Sequence, residues 1–187
     1  KRDTGETGVA YYSKEKKEQG EMKLERHTAI CTAELIAIKS ALNHVHDAYY
    51  QDVFEIAVIT DSLNAVTSIE SAAAAIHRSL QTDIIDVINK LQEMQNISTC
   101  IIWVPSHVGI AGNEKVDKLA RNCSRKSTRD MKLPLTLEDF QQNINRIIET
   151  EWQDRYNSSS TGKHYKTIED KVNTEVKYTT LKDRKSV

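Results

Sequence analysis

Two short apolar runs rich in β-branched residues, Glu55-Ile-Ala-Val-Ile-Thr60 and Thr99-Cys-Ile-Ile-Trp-Val104, constrain the fold more than anything else in this chain. A nearly continuous run of this kind suits a strand covered on both faces, as in parallel sheets. Between them Leu80, Ile84, Val87, Ile88 and Leu91 recur at helical spacing up to about Gln95. A shorter helix is predicted from Ser62 to about Ser71, with an irregular connection at 72–77. Upstream, Gly8–Tyr12 reads as a strand, Lys14–Gly20 as a charged turn and Glu21–Thr28 as the returning strand of a hairpin. Leu35, Ile38, Leu42 and Val45 predict an amphipathic helix from Thr32 to roughly Ala48, N-capped by Thr28 or Thr32. After the second apolar run, Pro105–Gly112 reads as a loop. Asn113 reads as the N-cap of a helix to about Cys123. The order hairpin, helix, strand, helices, strand, helix predicts an α/β domain with a mixed sheet.

That domain accounts for residues 1–125. A basic linker is expected over 126–136, then a helical and polar tail over 137–187, whose helix runs from Leu137 to about Tyr156 through Phe140, Ile144, Ile147, Ile148 and Trp152. Hydrophobic residues make up 39% of the 187, enough for a packed core and too many for a disordered chain. No apolar run approaches the ~18 residues of a membrane span. No secretory signal is visible. Cys31, Cys100 and Cys123 cannot pair completely and form no Cys-x-x-Cys spacing, which argues against a disulfide scaffold or zinc ribbon. Charge is asymmetric: net −6 over residues 1–117 and +5 over 118–187. An acidic first part can gather cations, and a basic second part can meet phosphates.

In sheets of this kind ligands gather outside the carboxyl ends of the strands. Asp61 ends the first apolar run, and Ser62 after it is a ready cap for the next helix. Glu34 is placed in the first turn of its helix, among Ala33, Leu35 and Ile36, where a carboxylate needs a partner. Asp117 falls at the edge of the stripe Val116, Ala120 and Cys123. His107 lies in a loop with Gly109 and Gly112, where it can carry protons near neutral pH. Carboxylates without soft ligands suit Mg²⁺ or Mn²⁺ rather than zinc.

Three stretches carry a resemblance: Thr32-Ala-Glu-Leu-Ile-Ala-Ile38, Ile59-Thr-Asp-Ser-Leu-Asn-Ala-Val66 and Trp103-Val-Pro-Ser-His-Val-Gly-Ile-Ala-Gly-Asn-Glu-Lys-Val-Asp-Lys-Leu-Ala120. They resemble ribonuclease H domains, in the family's order and approximate spacing. They are most like those of non-LTR (LINE-type) retrotransposon reverse transcriptases. The resemblance implies an RNase H-like fold and cleavage of the RNA strand of an RNA–DNA hybrid with two divalent ions, Mg²⁺ or Mn²⁺. It implies Glu34, Asp61 and Asp117 as metal ligands and His107 as the loop residue assisting proton transfer or product release. It further implies Ser62, Asn64 and Asn113 as substrate contacts, a monomer, and membership of a larger reverse-transcriptase polyprotein. The family's first motif, a central strand bearing an Asp, is expected ahead of Gly8–Tyr12, and Asp3 is no substitute for it. The resemblance therefore implies a domain without its first strand and with impaired activity. The alternatives are a catalytically inactive nucleic-acid-binding remnant and, less in keeping with Ser106-His107, an integrase-like polynucleotidyl transferase.

Overall fold

The computed structural model describes residues 5–71, 79–126, 137–161 and 167. Asp3, the connection at 72–77, most of the expected linker and most of the polar tail lie outside the described residues. The elements run β1 (Gly8–Tyr12), β2 (Gln19–Lys23), α1 (Ile30–Ala48), β3 (Glu55–Thr60), α2 (Leu63–Glu70), α3 (Ser79–Gln95), β4 (Ser98–Trp103), α4 (Ala111–Cys123) and α5 (Leu137–Ser158). Two compact units are formed, Lys1–Asp139 and Phe140–Val187.

In the first unit β1 and β2 pair antiparallel, with Ala10 opposite Glu21, and β3 and β4 pair parallel, with Val58 opposite Ile101. The expected mixed pairing is therefore present, divided between two two-stranded sheets. The apolar runs form the parallel pair, but they are not covered on both faces. Along β3, Ile56 and Val58 face the core while Glu55, Ala57 and Ile59 are exposed, Ile59 by 55%. The run is continuous because its outward positions are also apolar, not because both faces are packed.

Helix α1 serves both sheets. Leu35, Ile38 and Leu42 join Ala65, Ile84, Val87, Leu91 and Ile97 in the larger core, with Ile56, Val58 and Ile101 packed against it. Ala33 and Ile36 join Val9 and Leu24 in the smaller one, beside Met22. A helix buried over this much of its girth is held in rotation as well as position. Its far end is tied to the hairpin: Glu18 accepts from the Tyr50 hydroxyl and lies 2.7 Å from His44 Nε2. Lys16 Nζ sits 3.2 Å from Asp52 and over the Tyr50 ring.

Helix α4 lies over β1 because Gly8 has no side chain there. A Cβ on Gly8 would collide with the Ala120 carbonyl oxygen and the Ser124 backbone nitrogen. Two expected caps are corrected. The N-cap of α1 is Ala29, not Thr28 or Thr32: Thr28 donates its hydroxyl to Glu25 O and Thr32 is buried inside the helix. The N-cap of α4 is Ile110, so Gly112 and Asn113 are already helical. In the second unit α5 carries Phe140, Ile144, Ile147, Ile148 and Trp152 with 39% to 56% of their surface exposed. No described helix is long and apolar enough to cross a membrane.

Candidate active site

The carboxyl end of β3 is fixed from several directions. The β3–β4 ladder continues past the strands through Val104 N–H, which donates to Thr60 O at 2.9 Å. Trp103 Nε1–H donates to the Asp61 carbonyl at 3.1 Å, and Ser62 N–H donates to Thr60 Oγ1 at 3.2 Å. Ser62 Oγ then accepts from Ala65 N–H, capping α2 as the sequence suggested. The Asp61 backbone is thus locked in the turn between β3 and α2, and its side chain is half-buried.

Asp61 is oriented in turn by α4. Asn113 Nδ2–H donates to Asp61 Oδ2 at 3.0 Å. Asn113 and Asp117 are four residues apart on one helix, so they share a face. The face of α4 that steers the Asp61 carboxylate therefore also carries Asp117, one turn further on, whose charge is felt by Glu34. Asn113 was expected to contact substrate; its amide in this structure is engaged by Asp61. The i, i+4 spacing of Asn113 and Asp117 was the available signal for that arrangement.

Glu34 supplies the third carboxylate. It sits in the second turn of α1, not the first, since the helix begins at Ile30. Its neighbours Ala33 and Leu35 are each in one of the two cores. Burial, foremost, and the neighbouring charges of Asp61 and Asp117 together raise the Glu34 carboxyl from the ordinary 4.5 to about 7. Glu34 therefore feels both aspartates, one from the end of β3 and one from α4. Acids on three separate elements converge on one half-buried region.

The donor chemistry of this region suits a hard divalent cation: carboxylate oxygens predominate and a carboxamide is at hand. A cation would offset both the burial and the repulsion by Asp61 and Asp117 that raise the Glu34 carboxyl. The three side chains are not drawn to coordination spacing. Among the described residues no group of three or more His, Cys, Asp or Glu is arranged as a ready-made metal site.

The remaining expected site residues are Asn64, on α2, and His107, on the loop after β4. Asn64 is exposed in the first turn of α2. His107 is exposed between β4 and α4 with a left-handed backbone, φ 58°, and Gly109 follows at φ 82°. Of the two, only His107 pays for its conformation, since glycine adopts positive φ freely. Sequence reasoning missed Trp103, whose indole holds the Asp61 carbonyl. Its indole N–H partner is a backbone carbonyl 42 residues away, which no local spacing marks.

One comparison with known proteins bears on this arrangement. The RNase H family model matches residues 1–125, which hold both sheets, α1 to α4 and all three carboxylates. Its small sheets flanked by helices fit the RNase H-like fold. With two thirds of its length matched, the chain belongs to the RNase H family of RNA–DNA hybrid ribonucleases.

Proposed function

We propose that this chain hydrolyses the RNA strand of RNA–DNA hybrids at Glu34, Asp61 and Asp117, which together hold divalent cations, Mg²⁺ or Mn²⁺. The observation that carries the reading is the raised Glu34 carboxyl, caused by burial and by Asp61 and Asp117 from two other elements. Divalent cations, when held there, would supply an activated water and charge neutralisation at the leaving oxygen of a phosphodiester. The chain's own residues do the rest. Glu34, Asp61 and Asp117 would hold the cations, and Asn113 restrains the Asp61 carboxylate by donating to its Oδ2. His107, exposed on its loop, is assigned to assisting proton transfer or product release. Asn64, exposed at the start of α2, offers its amide to the substrate backbone. Ser62 contributes through its cap on α2. Hybrid recognition rests on shape and 2′-hydroxyls rather than on base sequence.

The long third motif, Trp103 to Ala120, supports a finer reading, the RNase H unit of a LINE-type reverse-transcriptase polyprotein acting as a monomer. A second functional reading is a nucleic-acid-binding domain of the same family with impaired or absent turnover. It is favoured by two observations: each described strand has a single hydrogen-bonded neighbour, and the carboxylates stand short of coordination spacing. One assay separates the two. The chain and its Asp61→Asn variant are each mixed with a labelled hybrid and Mg²⁺. Cleavage by the chain that is abolished in the variant, with binding kept, supports the enzyme. Equal binding without cleavage by either supports the second reading, and cleavage unchanged in the variant removes Asp61 from the mechanism.

A further inference from the structure

The N-terminus of α1 lacks everything that usually finishes a helix. Its N-cap is Ala29, which has no side chain to accept a hydrogen bond, and no acidic residue stands in the first turn. Ala29 is also buried, so water cannot substitute. The partner comes from far along the chain: Asp139 Oδ1 accepts from Ala29 N–H at 2.5 Å. Asp139 is itself 1% exposed and belongs to the same compact unit as α1. A carboxylate at the positive end of a helix is favoured by the helix dipole as well as by the hydrogen bond.

We propose that Asp139, outside the residues matched by the family model, is a positioning residue for the candidate site: it anchors the first turn of α1 and so sets where Glu34 stands. The first bond of the helix, Ala33 N–H to Ala29 O at 2.9 Å, starts from the residue that Asp139 grips. Glu34 follows immediately. Asp61 and Asp117 stand on other elements, so any slip of this turn changes the separation of the acids. The RNase H unit of this chain then extends functionally to residue 139. The consequence at Glu34 rests on the metal-site reading above; the anchor itself does not.

The test uses the full chain with Asp139→Ala and Asp139→Asn, the latter keeping a side-chain oxygen in place. Amide exchange is read by NMR at Ala29 and Ala33 without metal, and Mn²⁺ affinity is read by titration. Loss of a buried partner predicts roughly tenfold faster exchange at Ala29 in Asp139→Ala and near-native exchange in Asp139→Asn. Mn²⁺ affinity should fall about tenfold in the alanine variant, as for other residues that orient ligands, and recover in the asparagine variant. Should Asp139→Ala fail to fold, Asp139→Glu, which keeps the charge but shifts the oxygens by one methylene, must show the same contrast. Unchanged exchange at Ala29 would overturn the anchor. Altered exchange with identical Mn²⁺ affinity in all variants would overturn the positioning role. A native chain that binds no Mn²⁺ defeats the metal reading instead, and the amide data then decide the anchor alone.

Discussion

At the scale of the residue, Glu34 is held in the unfavourable state that a cation would relieve. Its folded-state midpoint near 7 lies above the ordinary value of 4.5, so the folded chain binds a proton there that the unfolded chain has lost. Stability is accordingly highest below about pH 4.5 as far as this group is concerned, and is lost as pH rises through 7. The loss is on the order of 3 kcal/mol for the metal-free protein. Glu34→Gln should remove that slope, and urea unfolding at pH 5 and pH 8 checks it: the variant is more stable than the native chain at pH 8 and close to it at pH 5. Millimolar Mg²⁺ should recover the native loss at pH 8 and leave the variant less affected. Asn113 acts at the same scale. Asn113→Ala frees Asp61 Oδ2, and hybrid cleavage kinetics should show kcat reduced about tenfold or more with hybrid affinity little changed.

At the scale of the element, the carboxylates were legible because each sits in a local pattern. Asp61 ends an apolar strand, Glu34 interrupts an apolar helix and Asp117 edges a stripe on α4. What the sequence concealed is what joins elements distant in the chain. Ala29 offers no capping side chain, and its partner is 110 residues further on, so no local spacing betrays it. The outward faces of β3 and β4 misled for the opposite reason. Ile59 and Ile102 are apolar although exposed, and apolar alternation carries no record of which face is packed. Gly8 shows how closely two elements approach: Gly8→Ala must force β1 and α4 apart at Ala120. That substitution should cost roughly 1–3 kcal/mol in thermal or chemical unfolding and lower Mg²⁺ affinity, because Asp117 moves with α4.

At the scale of the whole molecule, the first unit is held together by α1, which contributes to both cores and carries one of the three acids. Leu42 is fully buried at the centre of the larger core, and Leu42→Ala should cost about 2–5 kcal/mol by denaturant unfolding. The smaller core at Val9 and Leu24 should feel this substitution only through α1. The acids stand on α1, on the turn after β3 and on α4; α4 packs on the β1–β2 hairpin and α1 joins that hairpin to the larger core, so their convergence is a property of the folded unit and of none of its parts. The most direct measurement is the titration of the Glu34 side-chain carboxyl by carbon NMR in the metal-free chain and in Asp61→Asn and Asp117→Asn. The account predicts a midpoint near 7 that falls in each variant, since each removes one of the charges raising it. A midpoint in the ordinary carboxylate range, or one that neither variant moves, would contradict it.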